Sequence, residues 1–157
     1  MDDVILEIID LFKTSLEKGV YKSVYYGENK VAAQASFPFI EVVPVNTLME
    51  VQGTNSMMNE FTVTVNVKDT LKATLTANTD KEVVSYMQEM VQRIEKRTSG
   101  KPDSDTILGV LHDNLKLGNK VHLMNDWEID YQVSEFDGSY LIVGSITFKA
   151  HLISLRN

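Results

Sequence analysis

The residues of this chain that could carry chemistry are few, and their spacing does not favour catalysis. His112, His122 and His151 match no common zinc spacing, and no His-Glu-x-x-His run places two imidazoles and a base on one helix face. The absence of cysteine excludes disulfides, thiolate nucleophiles and cysteine-bound metals, and it fits a reducing compartment. No Gly-x-Ser-x-Gly elbow presents a serine nucleophile. Thr98-Ser99-Gly100-Lys101 resembles the end of a phosphate-binding loop. However, Glu95 stands where the first glycine belongs, and Pro102 replaces the hydroxyl residue that would hold magnesium. The segment also leaves a helix, not a strand, so it reads as a helix terminator.

One set of carboxylates is better ordered. Asp126, Glu128 and Asp130 fall at strand spacing, which lines three acids along one face about 7 Å apart. Such acids can do general acid–base work or bind calcium. They can equally form a solvated face or line a charged surface, and no apolar pocket that would raise a carboxyl pKa is evident beside them. Met49, Met57 and Met58 border a turn-like stretch, Gly53 to Asn59, and are open to a core or an interface reading, since flexible apolar side chains suit adaptable contacts. Tyr21, Tyr25 and Tyr26 at a strand end are open in the same way.

The elements that must position these residues begin with a helix capped by Asp2 or Asp3 and running to about Glu17, with Gly19 stopping it. Ile5, Ile8, Ile9, Phe12 and Leu16 form its apolar stripe. Val20 to Tyr26 reads as a strand, and Glu28 to Ser36 as a loop or weak extended segment. Phe39 to Val45 is a strand whose flanking Pro38 and Pro44 suit an end or an edge. Thr47 to Gln52 reads as a further strand, and Glu60 to Lys68 alternates Phe61, Val63, Val65 and Val67 against Thr62, Thr64 and Asn66. After a polar connection from Asp69 to Thr79, Asp80 caps a second helix to about Arg97, with Val83, Val84, Met87, Val91 and Ile94 as its buried stripe. Arg93, Lys96 and Arg97 crowd its last turn, where they suit the helix dipole. A short third helix carries Ile107, Leu108 and Leu111.

The C-terminal part is a long β-hairpin with a legible register. With Asp137-Gly138 at the turn, Phe136 faces Ser139, and Trp127, Ile129, Tyr131 and Val133 face Phe148, Ile146, Gly144 and Ile142. On the other face Asp126 meets Lys149, Glu128 meets Thr147 and Asp130 meets Ser145, while His122 faces Ile153 and His151 faces Met124. A slip by one residue would invert both faces. The whole predicts an α+β fold, a mainly antiparallel β-sheet with two longer helices packed on one face and a long C-terminal β-hairpin, in a single domain over residues 1–157.

Composition agrees. A chain of 157 residues, 43% hydrophobic and 24% charged, is that of a globular protein. The longest apolar run, near Val4 to Phe12, is broken by Glu7 and Asp10, short of the roughly 20 residues a membrane span needs. Asp2 and Asp3 argue against a signal peptide. The net charge of −7 disfavours unspecific binding to DNA or anionic membranes.

Tyr25-Tyr26-Gly27-Glu28, Phe37-Pro38-Phe39-Ile40-Glu41-Val42-Val43-Pro44 and Phe61-Thr62-Val63-Thr64-Val65 carry a resemblance. Together with the order of elements, they make the chain similar to the tail terminator (tail completion) proteins of long-tailed bacteriophages. The Gly53–Asn59 and Asp103–Gly118 segments match nothing in that pattern. The resemblance implies a structural virion protein made in the host cytoplasm. It would form a ring, usually of six subunits, on the tail tube at the neck end of the virion. There it would end tube polymerisation and offer a docking surface to head-completion or neck stopper proteins. It implies no active site, cofactor, metal or membrane, and DNA that passes through without specific binding. A closed ring needs two different complementary surfaces on each chain. The candidates are Met49, Met57 and Met58, and Thr70, Leu71 and Leu75 of the polar connection, with Asp126, Glu128 and Asp130 as possible lumen-facing acids. The alternatives left open are another neck or head–tail connector component and a non-enzymatic bacterial binding module.

Overall fold

A computed structural model of the protein describes residues 1–29, 36–53, 55–71, 79–136 and 139–155. The elements run α1 (Asp2–Ser15), β1 (Val24–Tyr26), β2 (Phe39–Val51), β3 (Ser56–Leu71), α2 (Thr79–Glu95), β4 (Arg97–Thr98), β5 (Lys101–Pro102), α3 (Ile107–His112), β6 (Leu123–Phe136) and β7 (Ser139–Leu155). Five strands form one sheet in the order β1-β2-β3-β7-β6. Only β1 and β2 are parallel, and β4 and β5 make a separate miniature hairpin. The result is α+β with a mainly antiparallel sheet.

Alternation builds the core. Phe61, Val63, Val65 and Val67 of β3 are all buried. Their neighbours Phe148, Ile146 and Ala150 of β7 and Ile40 and Val42 of β2 continue the same inner face. Against this face α1 sets Val4, Ile5, Ile8, Ile9 and Phe12, α2 sets Met90 and Ile94, and α3 sets Ile107, Leu108 and Leu111, all in one apolar cluster. Each fully buried side chain of this size is worth about 1.5–3 kcal/mol. Gly144 of β7 lets α2 approach closely, since a β-carbon there would stand 2.8 Å from Ile94 Cγ1 and 3.1 Å from Met90 Cγ.

Several boundaries differ from the sequence reading. The first strand covers Val24–Tyr26 only; Val20 to Ser23 is a turn that carries Tyr21 toward Arg93. The two short strands expected on either side of Asn46 are one, β2, with a bulge between Pro44 and Asn46. Pro44 is tolerated there because β1 pairs with β2 only at Ile40 to Val42, so the rest of β2 is sheet edge. Met57 and Met58 lie in β3, not in a turn, because β2 and β3 stay paired out to Val51 and Met57. Thr70 and Leu71 likewise extend β3, and Leu71 is buried. Residues 72–78, including Leu75, and the turn pair Asp137 and Gly138 lie outside the described residues, as do 30–35 of the expected loop. Helix α2 ends at Glu95, short of Lys96 and Arg97. Its stripe is Val83, Met87, Met90 and Ile94, with Val84 56% exposed.

The hairpin register is as expected from Phe136–Ser139 down to Glu128–Thr147 and then shifts by one. Asn125, not Asp126, pairs with Lys149, and His151 faces Leu123, not Met124. Asp126 adopts a left-handed backbone (φ 57°), so Asp126 and Trp127 together occupy the place of one residue. The reason is visible in what changes sides. Without the bulge Asn125 would enter the core and Met124 would leave it. With it Met124 is 2% exposed and Asn125 is on the outer face, its Oδ1 2.8 Å from His151 Nε2. Burying an amide without a partner costs more than one left-handed aspartate. Trp127 stays on the inner side, its ring 4.9 Å from that of Phe148.

Candidate interaction surfaces

The sites considered for chemistry are dispersed. His112 and His122 are exposed, on α3 and before β6; His151 is part-buried on β7, its Nδ1 3.8 Å from Glu60. Among the described residues no three His, Asp or Glu side chains are grouped so as to hold a metal. The Thr98–Lys101 stretch is the β4–β5 hairpin. Ser99 (φ 54°) and Gly100 (φ 78°) are its central residues, both left-handed as a tight mirror-image turn requires. No helix among the described residues is long and apolar enough to cross a membrane.

The outer face of the sheet is polar and internally bonded. Glu41 is fully buried, takes Lys68 Nζ at 2.9 Å and Asn66 Nδ2 at 3.3 Å, and accepts the Asn29 backbone N–H. The row continues through Ser145, whose hydroxyl donates to Asn66 Oδ1 at 2.6 Å, and the next row joins Thr64 to Thr147 at 2.9 Å. Lys149 lies 3.4 Å from Glu60 and 3.7 Å from Asp126. Asp126, Glu128 and Asp130 share this face and are all exposed at its β6 edge. The bulge therefore leaves the acidic line intact, and the expected Asp126–Lys149 pair forms across it.

A groove of about 270 Å³ lies between the end of α1, α2 and the start of α3. Its Arg93 donates to Asp69 at 2.8 Å and Glu89 at 3.3 Å. Burial first, then the nearby Asp69 and Asp105 carboxylates, push the Tyr21 hydroxyl up to about 12, against the lowering effect of Arg93. Burial, with donation to the Glu95 carboxylate, also raises Tyr131 well above the usual phenol range. The Arg93–Asp69 ion pair and the Tyr131–Glu95 hydrogen bond tie α2 to β3 and β6.

What stands apart is an apolar arm. Beyond the helices, β2, β3 and β7 continue as three paired strands, reaching Val51, Met57 and Ser154. Val45, Leu48, Met49, Val51 and Ile153 are 53%, 58%, 61%, 61% and 47% exposed there. Of the side chains expected at an interface, Met49 is on this surface with Met57 and Met58 half-buried beside it. Sequence reasoning missed Val45, Leu48 and Val51, whose signal was a β-branched and apolar run continuing past Pro44 with no helix left to cover it.

A second feature lies on the inner side of β6. A cleft of about 380 Å³ is lined by Trp127, Ile129, Leu108 and Pro102, with Arg97, Lys101 and His112 at its polar margin. None of its described lining residues is acidic. The sequence matches no protein-family model, and no curated protein matches it.

Proposed function

We propose that the protein is a structural assembly subunit, a tail-terminator-like ring component that caps a phage tail tube and presents a docking surface to neck proteins. The observation that supports it most is the arm. A monomer gains nothing by projecting Leu48 on one face and Met49 and Val51 on the other into water on a three-stranded extension, and exposed apolar surface of this kind marks an association site. Among the described residues the sheet also ends in two open edges, β6 on one side and β2 from Val43 onward on the other. Two unlike edges suit the head-to-tail contacts of a closed ring, where each chain meets its two neighbours through different surfaces. The resemblance in element order to the tail terminators gives the ring its place, and it agrees with the long β6–β7 hairpin and the helical layer packed against one face of the sheet.

The experiment is made at the particle. Tails assembled without this protein are expected to grow tubes of uncontrolled length that fail to join heads. Reconstruction of the complete particle is expected to find a ring of this chain at the head-proximal end of the tube. Tails of normal length without it, or its density elsewhere in the particle, would overturn the reading.

A further inference from the structure

The arm and the cleft differ in a way that makes each fit the other. Between Val45 and Met58 the arm carries a single charged residue, Glu50, which shares one face of β2 with exposed Leu48, while exposed Met49 and Val51 take the other face. The cleft presents Trp127 and Ile129 as an apolar floor beside two exposed cations, Arg97 and Lys101. Among the described residues Arg97 makes one ion pair, a long one of 3.9 Å to Glu95, and it is 48% exposed. In a chain of net charge −7, a wall whose described lining residues include two cations and no carboxylate is a local reversal, with Glu95 reaching Arg97 from outside it. The volume lies within the roughly 300–1,000 Å³ of small binding sites. Tryptophan and arginine are the side chains that most often anchor interfaces.

We infer that this cleft receives the β2–β3 arm of a second copy of the chain, with Glu50 set between Arg97 and Lys101 and Leu48, two residues before it on the same face of β2, against Trp127. The inference rests on the ring reading above and names the two surfaces that would close it. A chain cannot fill its own cleft. Met57, beside Val51, pairs with Ser154, while Trp127 packs on Phe148, six residues back along β7, or roughly 20 Å at strand spacing. The contact is therefore between copies, and because arm and cleft are different surfaces it is head-to-tail and can propagate around a ring.

Sedimentation velocity and light scattering on the full chain, over the whole soluble concentration range, test it. The wild type is expected to self-associate. Leu48→Ser on the arm and Lys101→Glu on the cleft rim both lie at exposed positions, outside the core, and each variant is expected to associate about 30-fold more weakly, the size of a hot-spot loss. Mixing these two variants leaves one intact arm facing one intact cleft, so dimers should form and stop at two. Glu50→Lys with Lys101→Glu in one chain should recover association that either change alone removes. Wild-type mass of a single chain at every concentration, or variants that assemble like the wild type, would overturn the inference. Either result leaves the particle test independent, since a ring closed through other surfaces would still sit at the tube end.

Discussion

Single residues hold this fold to narrow tolerances, and two of them give direct tests. At Gly144 the contact distances to Ile94 and Met90 leave no room for a methyl group. Both neighbours are buried, so neither can move into solvent. Gly144→Ala is expected to cost about 1–3 kcal/mol by overpacking, read as a lower thermal midpoint, and Gly144→Val more. Tyr21 gives a pH test. Its hydroxyl is pushed up from 10 to about 12, so above pH 10 the unfolded chain loses a proton that the folded chain keeps. The stability from that site is fully present below pH 10 and is lost as pH rises toward about 12. Alkaline denaturation of the wild type should therefore begin in that window, and Tyr21→Phe should flatten the slope there. Tyr131, raised in the same direction, would leave a residual slope.

At the scale of elements, the hairpin shows how far a pattern can be read. Alternation fixed the pairing of Ile129, Tyr131 and Val133 because every residue there obeys a period of two. It failed at Asp126, where a left-handed residue adds one position, because no alternation pattern contains its own exceptions. The Met124–Asn125 order held a hint, an apolar residue falling on the outer face of the expected register. The continuity of the arm was illegible for another reason. Pro44 and Gly53 look like punctuation, yet an edge strand tolerates proline, and β2 and β3 simply continue paired around it. The cleft could not be read at all, since it joins Arg97, Leu108 and Trp127 from three separate elements. The bulge can be tested. Asp126→Val puts a β-branched side chain in the left-handed region and is expected to cost about 1–2 kcal/mol in chemical denaturation. Asp126→Gly removes the strain along with a solvent-exposed ion pair worth about 0–1 kcal/mol, so it should leave stability nearly unchanged.

For the whole molecule, the distribution of charge matters more than its sum. The inner side of the sheet is closed by helices, the arm is nearly uncharged, and the cleft is cationic. The exposed acids of β6 are gathered on the opposite face, on the far side of the same strand from Trp127 and Ile129. If copies join through arm and cleft, each β6 presents Glu128 and Asp130 away from the joint, and the ring repeats that acidic line once per subunit. A line of this kind facing the passage would repel DNA over about 8 Å at physiological salt and keep the strand from adhering. Glu128→Lys/Asp130→Lys changes only exposed residues, so subunits should fold and rings should assemble. Particles carrying it are expected to eject DNA more slowly than wild type, with the difference shrinking as salt screens the new attraction. Ejection followed by dye fluorescence at two ionic strengths reads both effects. Kinetics equal to wild type at low salt would place the acidic line outside the passage and leave it as the solvated face of an edge strand.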